Sequence, residues 1–227
     1  MKFLLLFDID GTLLSIPKKG MQLVSESLNE QFQRRMELPH KSFSGQTDWQ
    51  IFRETLQHHG FDLSESENEW KKFKEIYGTK FEELVSIDDV KVHNGAVETT
   101  NLLAESANIQ LGLLTGNIKM TAYKKLRLIG IDHQFEQGAF GDDHWKREWL
   151  GTIAVERFLS KINQSEPSKV VIIGDTPRDV DVAKYMGAIS IGVTNGAYSQ
   201  SELHNHGADF IISELQSIPE ILNQIQS

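Results

Sequence analysis

The chain begins Met1-Lys2-Phe3-Leu4-Leu5-Leu6-Phe7-Asp8-Ile9-Asp10-Gly11-Thr12-Leu13-Leu14. Phe3 to Phe7 is apolar without interruption, which suits a strand buried on both faces, as in a parallel sheet covered by helices. The run is far shorter than the roughly 20 residues a membrane span needs. Asp8 and Asp10 end it, and the carboxyl edge of such a sheet is where open α/β folds bind their ligands. If the strand continues, the two carboxylates face the same side. If the chain turns at Ile9, the Asp10 side chain is free while its main-chain carbonyl stays near Asp8. Gly11 permits the sharp departure and Thr12 can tie the turn. Like charges this close call for a cation, and Mg2+ prefers carboxylate oxygen, water and phosphate. A solvated turn is the plainer alternative.

Beyond this stretch the pattern becomes helical. Met21, Val24, Leu28 and Phe32 recur at helical spacing. Ser44-Gly45-Gln46-Thr47-Asp48 is a polar loop, and Thr47 with Gln50 predicts a capping box for a second helix stopped by Gly60. Ser64 with Glu67 predicts another box, opening a long helix that carries Trp70, Phe73, Phe81 and Leu84. Its aromatic stripe reads as core packing, not as a nucleobase platform. An all-helical insert after the first strand is how a lid would be encoded. Residues 17–90 are therefore expected to form a helical cap, and residues 1–16 and 91–227 the core.

After Asn94-Gly95, strands and helices alternate to the end. Strands are expected at 110–114, 135–140, 169–173, 188–193 and 210–212, with helices between them. This alternation specifies an α/β fold, a three-layer Rossmann-like parallel sheet with right-handed crossovers.

Composition narrows the function. The 227 residues, 39% hydrophobic, can bury one large domain or a domain with an insert. There is no cysteine, so no disulfide or thiolate metal site, which suits a cytoplasmic protein. No signal-peptide pattern is expected, since the apolar run leads straight into Asp8. The net charge of −9 argues against nucleic acid or an anionic membrane as partner. A monomer or homodimer is expected.

Two further strands end in polar residues. Thr115, Gly116 and Asn117 follow the strand at 110–114 and are read as opening a helix. The Thr115 hydroxyl and the Gly116 and Asn117 N–H groups would there bind phosphate oxygens; a simple threonine cap is the alternative. Gly174-Asp175-Thr176-Pro177-Arg178-Asp179 follows the strand at 169–173, and Asp175 before Pro177 also suits a helix start. In the expected lid, Gly45, Gln46 and Thr47 are candidates to contact the substrate. His204 and His206 read as solvated.

Asp8-x-Asp10-Gly11-Thr12-Leu13 after an apolar strand resembles the first motif of the haloacid-dehalogenase-like hydrolase superfamily. Thr115-Gly116 and Gly174-Asp175 resemble its second and fourth motifs. The resemblance spans nearly the whole chain and is greatest to the phosphoglycolate-phosphatase-like group, through Gly45-Gln46-Thr47-Asp48 and Gly207-Ala208-Asp209-Phe210. It implies a Mg2+-dependent phosphomonoesterase acting on a small phosphorylated metabolite through an aspartyl-phosphate. Asp8 would be the nucleophile and Asp10 the general acid and base. Asp8, the Asp10 carbonyl and Asp175 would hold the metal. Asp179 would orient metal-bound water or bond nearby backbone. Gly11, Thr12, Gly116 and Asn117 would lie on the substrate side. The family's third-motif cation would be Lys146 or Arg147; Arg147 is preferred because it begins the stripe of Leu150 and Ala154. Gln46 stands where the group commonly has a basic residue, which argues against a carboxylate-bearing substrate such as phosphoglycolate. The alternatives are a sugar-phosphate mutase, a receiver-type module and a non-catalytic phosphate-binding regulator.

Overall fold

The computed structural model describes residues 3–40, 43–162 and 169–226; the expected segment ends at residues 1, 2 and 227 lie outside these, as do residues 41, 42 and 163–168. In chain order the elements are β1 (Phe3–Phe7), β2 (Leu14–Ser15), α1 (Lys19–Phe32), α2 (Asp48–His58), α3 (Ser66–Leu84), β3 (Lys91–Val92) and α4 (Ala96–Ala104). Then follow β4 (Ile109–Leu114), α5 (Lys119–Leu128), β5 (Gln137–Ala139), α6 (Glu148–Ile162), β6 (Lys169–Gly174), α7 (Pro177–Met186), β7 (Ile189–Val193), α8 (Gln200–Asn205), β8 (Phe210–Ile212) and α9 (Ile218–Gln226).

The main sheet runs β5-β4-β1-β6-β7-β8, and all its pairings are parallel. β1 is covered on both faces. Phe3, Leu5 and Phe7 join the apolar cluster on one side, while Leu4 and Leu6 join the cluster that packs α6 and α7 on the other. This period of two explains why the strand shows no polar alternation. The register pairs Phe7 with Leu113 of β4 and with Ile173 of β6. The central strand thus ends level with its neighbours, and the connections diverge on either side of it, leaving a crevice for a ligand.

A third apolar cluster belongs to α1, α2 and α3. It includes Leu28, Phe52, Trp70, Phe73 and Phe81, with Ile118 from the start of α5 seated among them. The aromatic stripe of α3 is core, as expected: Trp70, Phe73 and Phe81 are buried. β2 and β3 pair antiparallel where the chain leaves for these helices and where it returns, with Leu14 opposite Val92 and Ser15 opposite Lys91. The Ser15 hydroxyl and His93 Nε2 lie 2.9 Å apart beside that pairing. No helix among the described residues is long and apolar enough to cross a membrane.

Local expectations shift in four places. Thr47 caps α2 by accepting the Gln50 N–H at 3.0 Å, but the Gln50 side chain turns to Glu54, so the box is only half formed. The box expected at Ser64 and Glu67 is absent: Asp62 accepts from the Ser64 N–H and caps a single 3-10 turn, and α3 then starts at Ser66. A carboxylate two residues back reaches the free N–H sooner than a serine hydroxyl that must wait for the next turn. β5 is confined to residues 137–139, because Phe135 closes the preceding 3-10 turn and is buried against Phe7 instead. α5 spans Lys119–Leu128 with Ile118 as its N-cap, one residue inside the expected 118–129 at each end.

Candidate active site

Four strand ends meet at one edge of the sheet. Asp8 follows β1, Thr115 follows β4, Asp175 follows β6 and Asn195 lies just beyond β7. All four line a cavity of about 490 Å3 between the sheet edge and the first three helices. Asp10, Gly11, Gly45, Gln46, Gly116, Asn117 and Arg147 line it too. Thr12, Thr47 and Asp179, also expected at the site, do not line the cavity.

Asp8 is 4% exposed, and its main-chain N–H is held by the Ile173 carbonyl at 2.9 Å. Burial raises its pKa to about 6, helped by the negative charges of Asp179 and Asp10 and opposed by Arg147. Arg147 Nη2 lies 3.2 Å from Asp8 Oδ1 and 2.5 Å from Asp179 Oδ1. Burial opposes the charge on Arg147, but the carboxylates of Asp179 and Asp8 outweigh it and hold its pKa above the ordinary value. Its Nε is buried without a partner among the described residues, leaving a donor for an incoming anion. Lys146, the other candidate, is exposed and lies over the Trp145 ring.

Asp179 is spoken for. One oxygen binds Arg147, and the other accepts from the Thr176 N–H at 3.1 Å and its hydroxyl at 2.8 Å, completing a capping box for α7. Of the two expected roles, the backbone bond is the one seen.

Asp175 is held differently. A Cβ on Gly11, whose φ is +83°, would come within 2.3 Å of Asp175 Oδ2, and one on Gly196 within 1.6 Å. Both glycines are thus required for the carboxylate to sit where it does. Burial, with the charges of Asp8 and Asp179, raises the pKa of Asp175 to about 8. Its Oδ1 is buried without a partner among the described residues. Carboxylate oxygens of Asp8, Asp175 and Asp179 lie within 4.8 Å of one another. An orphaned acceptor among crowded hard oxygens fits a divalent cation of the Mg2+ type.

The loop after β4 departs from expectation. The Asn117 N–H turns back to Thr115 Oγ1 at 3.3 Å, so it does not face a ligand. The first N–H groups of α5 are taken by carboxylates: Ile118 donates to Asp48 at 2.9 Å and Lys119 to Asp142 at 2.9 Å. The N–H groups that open α5 itself are therefore capped, while Thr115, Gly116 and Asn117 line the cavity ahead of it.

Lys125 and Asp48 escaped the sequence reading. Lys125 is 4% exposed; its Nζ lies 2.5 Å from Asp10 Oδ2 and 2.7 Å from Asn117 Oδ1. Asn117 Nδ2 in turn donates to Asp10 Oδ2 and to Thr115 Oγ1, both at 2.7 Å. A signal existed: Lys125 falls four residues after Thr121 and seven after Ile118, on the buried stripe of α5. A lysine there needs a carboxylate partner. Asp48, in the polar loop before α2, carries no comparable signal in the sequence.

The helical segment is fastened to this edge by its 45–48 loop. The Asp48 N–H donates to the Gly116 carbonyl at 2.7 Å, and the Thr47 hydroxyl donates to the Trp145 carbonyl at 2.7 Å. Gly45, at φ +72°, fits beneath Thr176 and Arg178, where a Cβ would come within 2.8 Å of each. Thr47 is a fastener between helix and core, its hydroxyl fully used.

The sequence profile of the haloacid dehalogenase-like hydrolase family matches residues 5–193. The chain belongs to that family. It is 25% identical over 221 residues to pyrophosphatase PpaX of Bacillus velezensis, covering 96% of this chain and 94% of that one. It is 26% identical over 227 residues to a phosphoglycolate phosphatase of Neisseria meningitidis, covering 97% and 92%. The crystal structure of a hydrolase from Pseudomonas syringae superposes with a TM-score of 0.67 at 21% identity, covering 99% of this chain and 98% of that one. These similarities place it with the phosphoglycolate-phosphatase-like members, as the motifs imply.

Proposed function

We propose that this hydrolase is a Mg2+-dependent phosphomonoesterase acting on a small phosphorylated metabolite through an aspartyl-phosphate on Asp8. One observation carries the reading. A buried carboxylate, Asp8, shares a cavity with an arginine, Arg147, and a carboxylate, Asp175, whose Nε and Oδ1 have no partner among the described residues. The donor suits an anion, the acceptor suits a cation, and the carboxylate of Asp8 is near both side chains.

In this mechanism Asp8 attacks phosphorus and forms an acyl phosphate as the bond to the leaving oxygen breaks. Asp10 gives that oxygen its proton, then takes one from the water that attacks the phosphoaspartate. Lys125 and Asn117 hold Asp10 at the edge of the cavity for both steps. Arg147 and the Thr115 hydroxyl donate to the transferring phosphoryl oxygens. Asp179 holds Arg147 in place. Asp8, Asp175 and the Asp10 carbonyl would hold Mg2+, which supplies charge neutralisation of the phosphoryl group. Residues 17–90 act as the cap that shuts the leaving group away from water. A cytoplasmic setting and a monomer or homodimer complete the proposal.

The test is release of inorganic phosphate from p-nitrophenyl phosphate with and without Mg2+, coupled to peptide mapping of acid-quenched enzyme. A phosphoryl group on the peptide containing Asp8 is expected. No phosphate release from any ester would overturn the proposal.

A further inference from the structure

Behind the phosphoryl-binding edge, the cavity's cap side is built for one chemical class. Its wall is largely apolar, with Ile16, Met21, Val24, Phe43, Ile51 and the ring of Tyr77, and it also carries Ser15, Ser44 and the Tyr77 hydroxyl. Asp48 and Gln46 add two stronger acceptors. Asp48 is partly buried, with one oxygen committed to the Ile118 N–H. Gln46 directs its Nε2 toward Glu54, and its Oε1 is buried with no partner among the described residues. The lysine and arginine lining the cavity are both matched already, Lys125 by Asp10 and Arg147 by Asp8 and Asp179. A carboxylate or second phosphate on the leaving group would therefore meet Asp48 with no uncommitted lysine or arginine among the described lining residues to offset it. Like charges brought together in such a site repel each other and disfavour that substrate. A hydroxyl would instead supply the donor that Gln46 Oε1 lacks, while a short carbon chain covers the wall.

We infer that the enzyme selects phosphate esters of uncharged, hydroxyl-bearing alcohols and rejects those whose leaving group carries an anion. The inference rests on the phosphatase reading and adds its substrate class. Phosphoglycolate and pyrophosphate, which give two relatives their names, fall on the rejected side.

The experiment compares a size-matched pair, glycerol 3-phosphate and 3-phosphoglycerate, with p-nitrophenyl phosphate alongside, at about pH 8. The expected kcat/KM ratio favours glycerol 3-phosphate by about tenfold or more. Asp48→Asn keeps an acceptor for the Ile118 N–H and removes the charge, so the ratio should shrink. Gln46→Arg adds a cation and should shrink it from the other side. Thermal unfolding checks that both variants are folded. Equal or better turnover of 3-phosphoglycerate by the wild type, with p-nitrophenyl phosphate hydrolysed, overturns the inference alone. A ratio unmoved in both folded variants also overturns it. Failure to hydrolyse p-nitrophenyl phosphate overturns the phosphatase reading and this inference with it.

Discussion

Lys125 Nζ and Asp10 Oδ2 lie 2.5 Å apart, joining the middle of a core helix to the residue just past the end of the first strand. Asp10 is 43% exposed at its side chain while Lys125 is nearly closed off, so the lysine is the fixed partner and the carboxylate the movable one. The site thus divides its two cations, Arg147 beside Asp8 and Lys125 beside Asp10.

Replacing Lys125 with Met keeps the apolar stem and removes the charge that locates Asp10. kcat for p-nitrophenyl phosphate should fall by about 10- to 100-fold, with KM moving much less, because phosphate contacts remain. A large rise in KM with kcat preserved would show that Lys125 holds substrate instead.

Asp8→Asn should abolish turnover, about 10^4-fold or more, since Asp179, the other carboxylate against Arg147 among the described residues, is held by Thr176 and does not line the cavity. The fold should survive, because the change lightens a crowded acidic site. Steady-state rates and circular dichroism on the same preparation test both halves.

Chelation of divalent metal should stop hydrolysis, and Mg2+ should raise the unfolding temperature. Saturation at 100 times Kd corresponds to about 2.7 kcal/mol. Asp175→Asn should remove that rise. A variant that keeps the full Mg2+ shift would take Asp175 out of the metal site.

Loss of solvent raises the pKa of Asp48 to about 7 from an ordinary 3.8, with the Ile118 N–H and Lys125 lowering it and Asp10 and Asp142 raising it further. Burial, with the charges of Asp48 and Asp10, holds the Tyr77 hydroxyl pKa above normal. Because the folded pKa of Asp48 is the higher, its contribution to stability is complete below about pH 4. That contribution declines as pH rises to about 7 and then levels off. Asp48→Asn lacks this loss. The unfolding temperature of the variant relative to wild type, measured without metal, should therefore climb from about pH 4 to 7 and flatten above. A difference independent of pH would show that Asp48 does not titrate in that window.

Thr47→Val removes both the cap of α2 and the bond to Trp145. A loss of about 1–3 kcal/mol in chemical denaturation is expected, with Thr47→Ser restoring most of it. If Val and Ser behave alike, the hydroxyl is not the fastener.

Much of this arrangement was legible in the sequence, for identifiable reasons. The unbroken Phe3–Phe7 run could only be a strand covered twice, and the polar residues ending β1, β4 and β6 marked the edge where a site forms. The preference for Arg147 over Lys146 followed from helical phase, and the structure buries the one and exposes the other. What was missed depends on contacts between segments distant in sequence. Lys125 meets Asp10 across 115 positions, and Asp48 caps a helix 70 positions away. Nothing local distinguishes such residues from solvated ones, and only the buried phase of Lys125 betrayed it. Of the phosphate contacts expected at Thr115, Gly116 and Asn117, the Asn117 N–H turns to Thr115 instead, while all three residues line the cavity.

The pairing of β2 with β3 carries a consequence for the architecture as a whole. Strand neighbours lie only about 4.7–4.9 Å apart, so the chain departs for its first three helices and comes back at practically one point. A tight turn grafted between Ser15 and Lys91 would bridge that gap without pulling on β1 or α4. The core is wired as a socket: the helical segment enters and leaves through one gap, and it is tied to the core again by the 45–48 loop and the seat of Ile118.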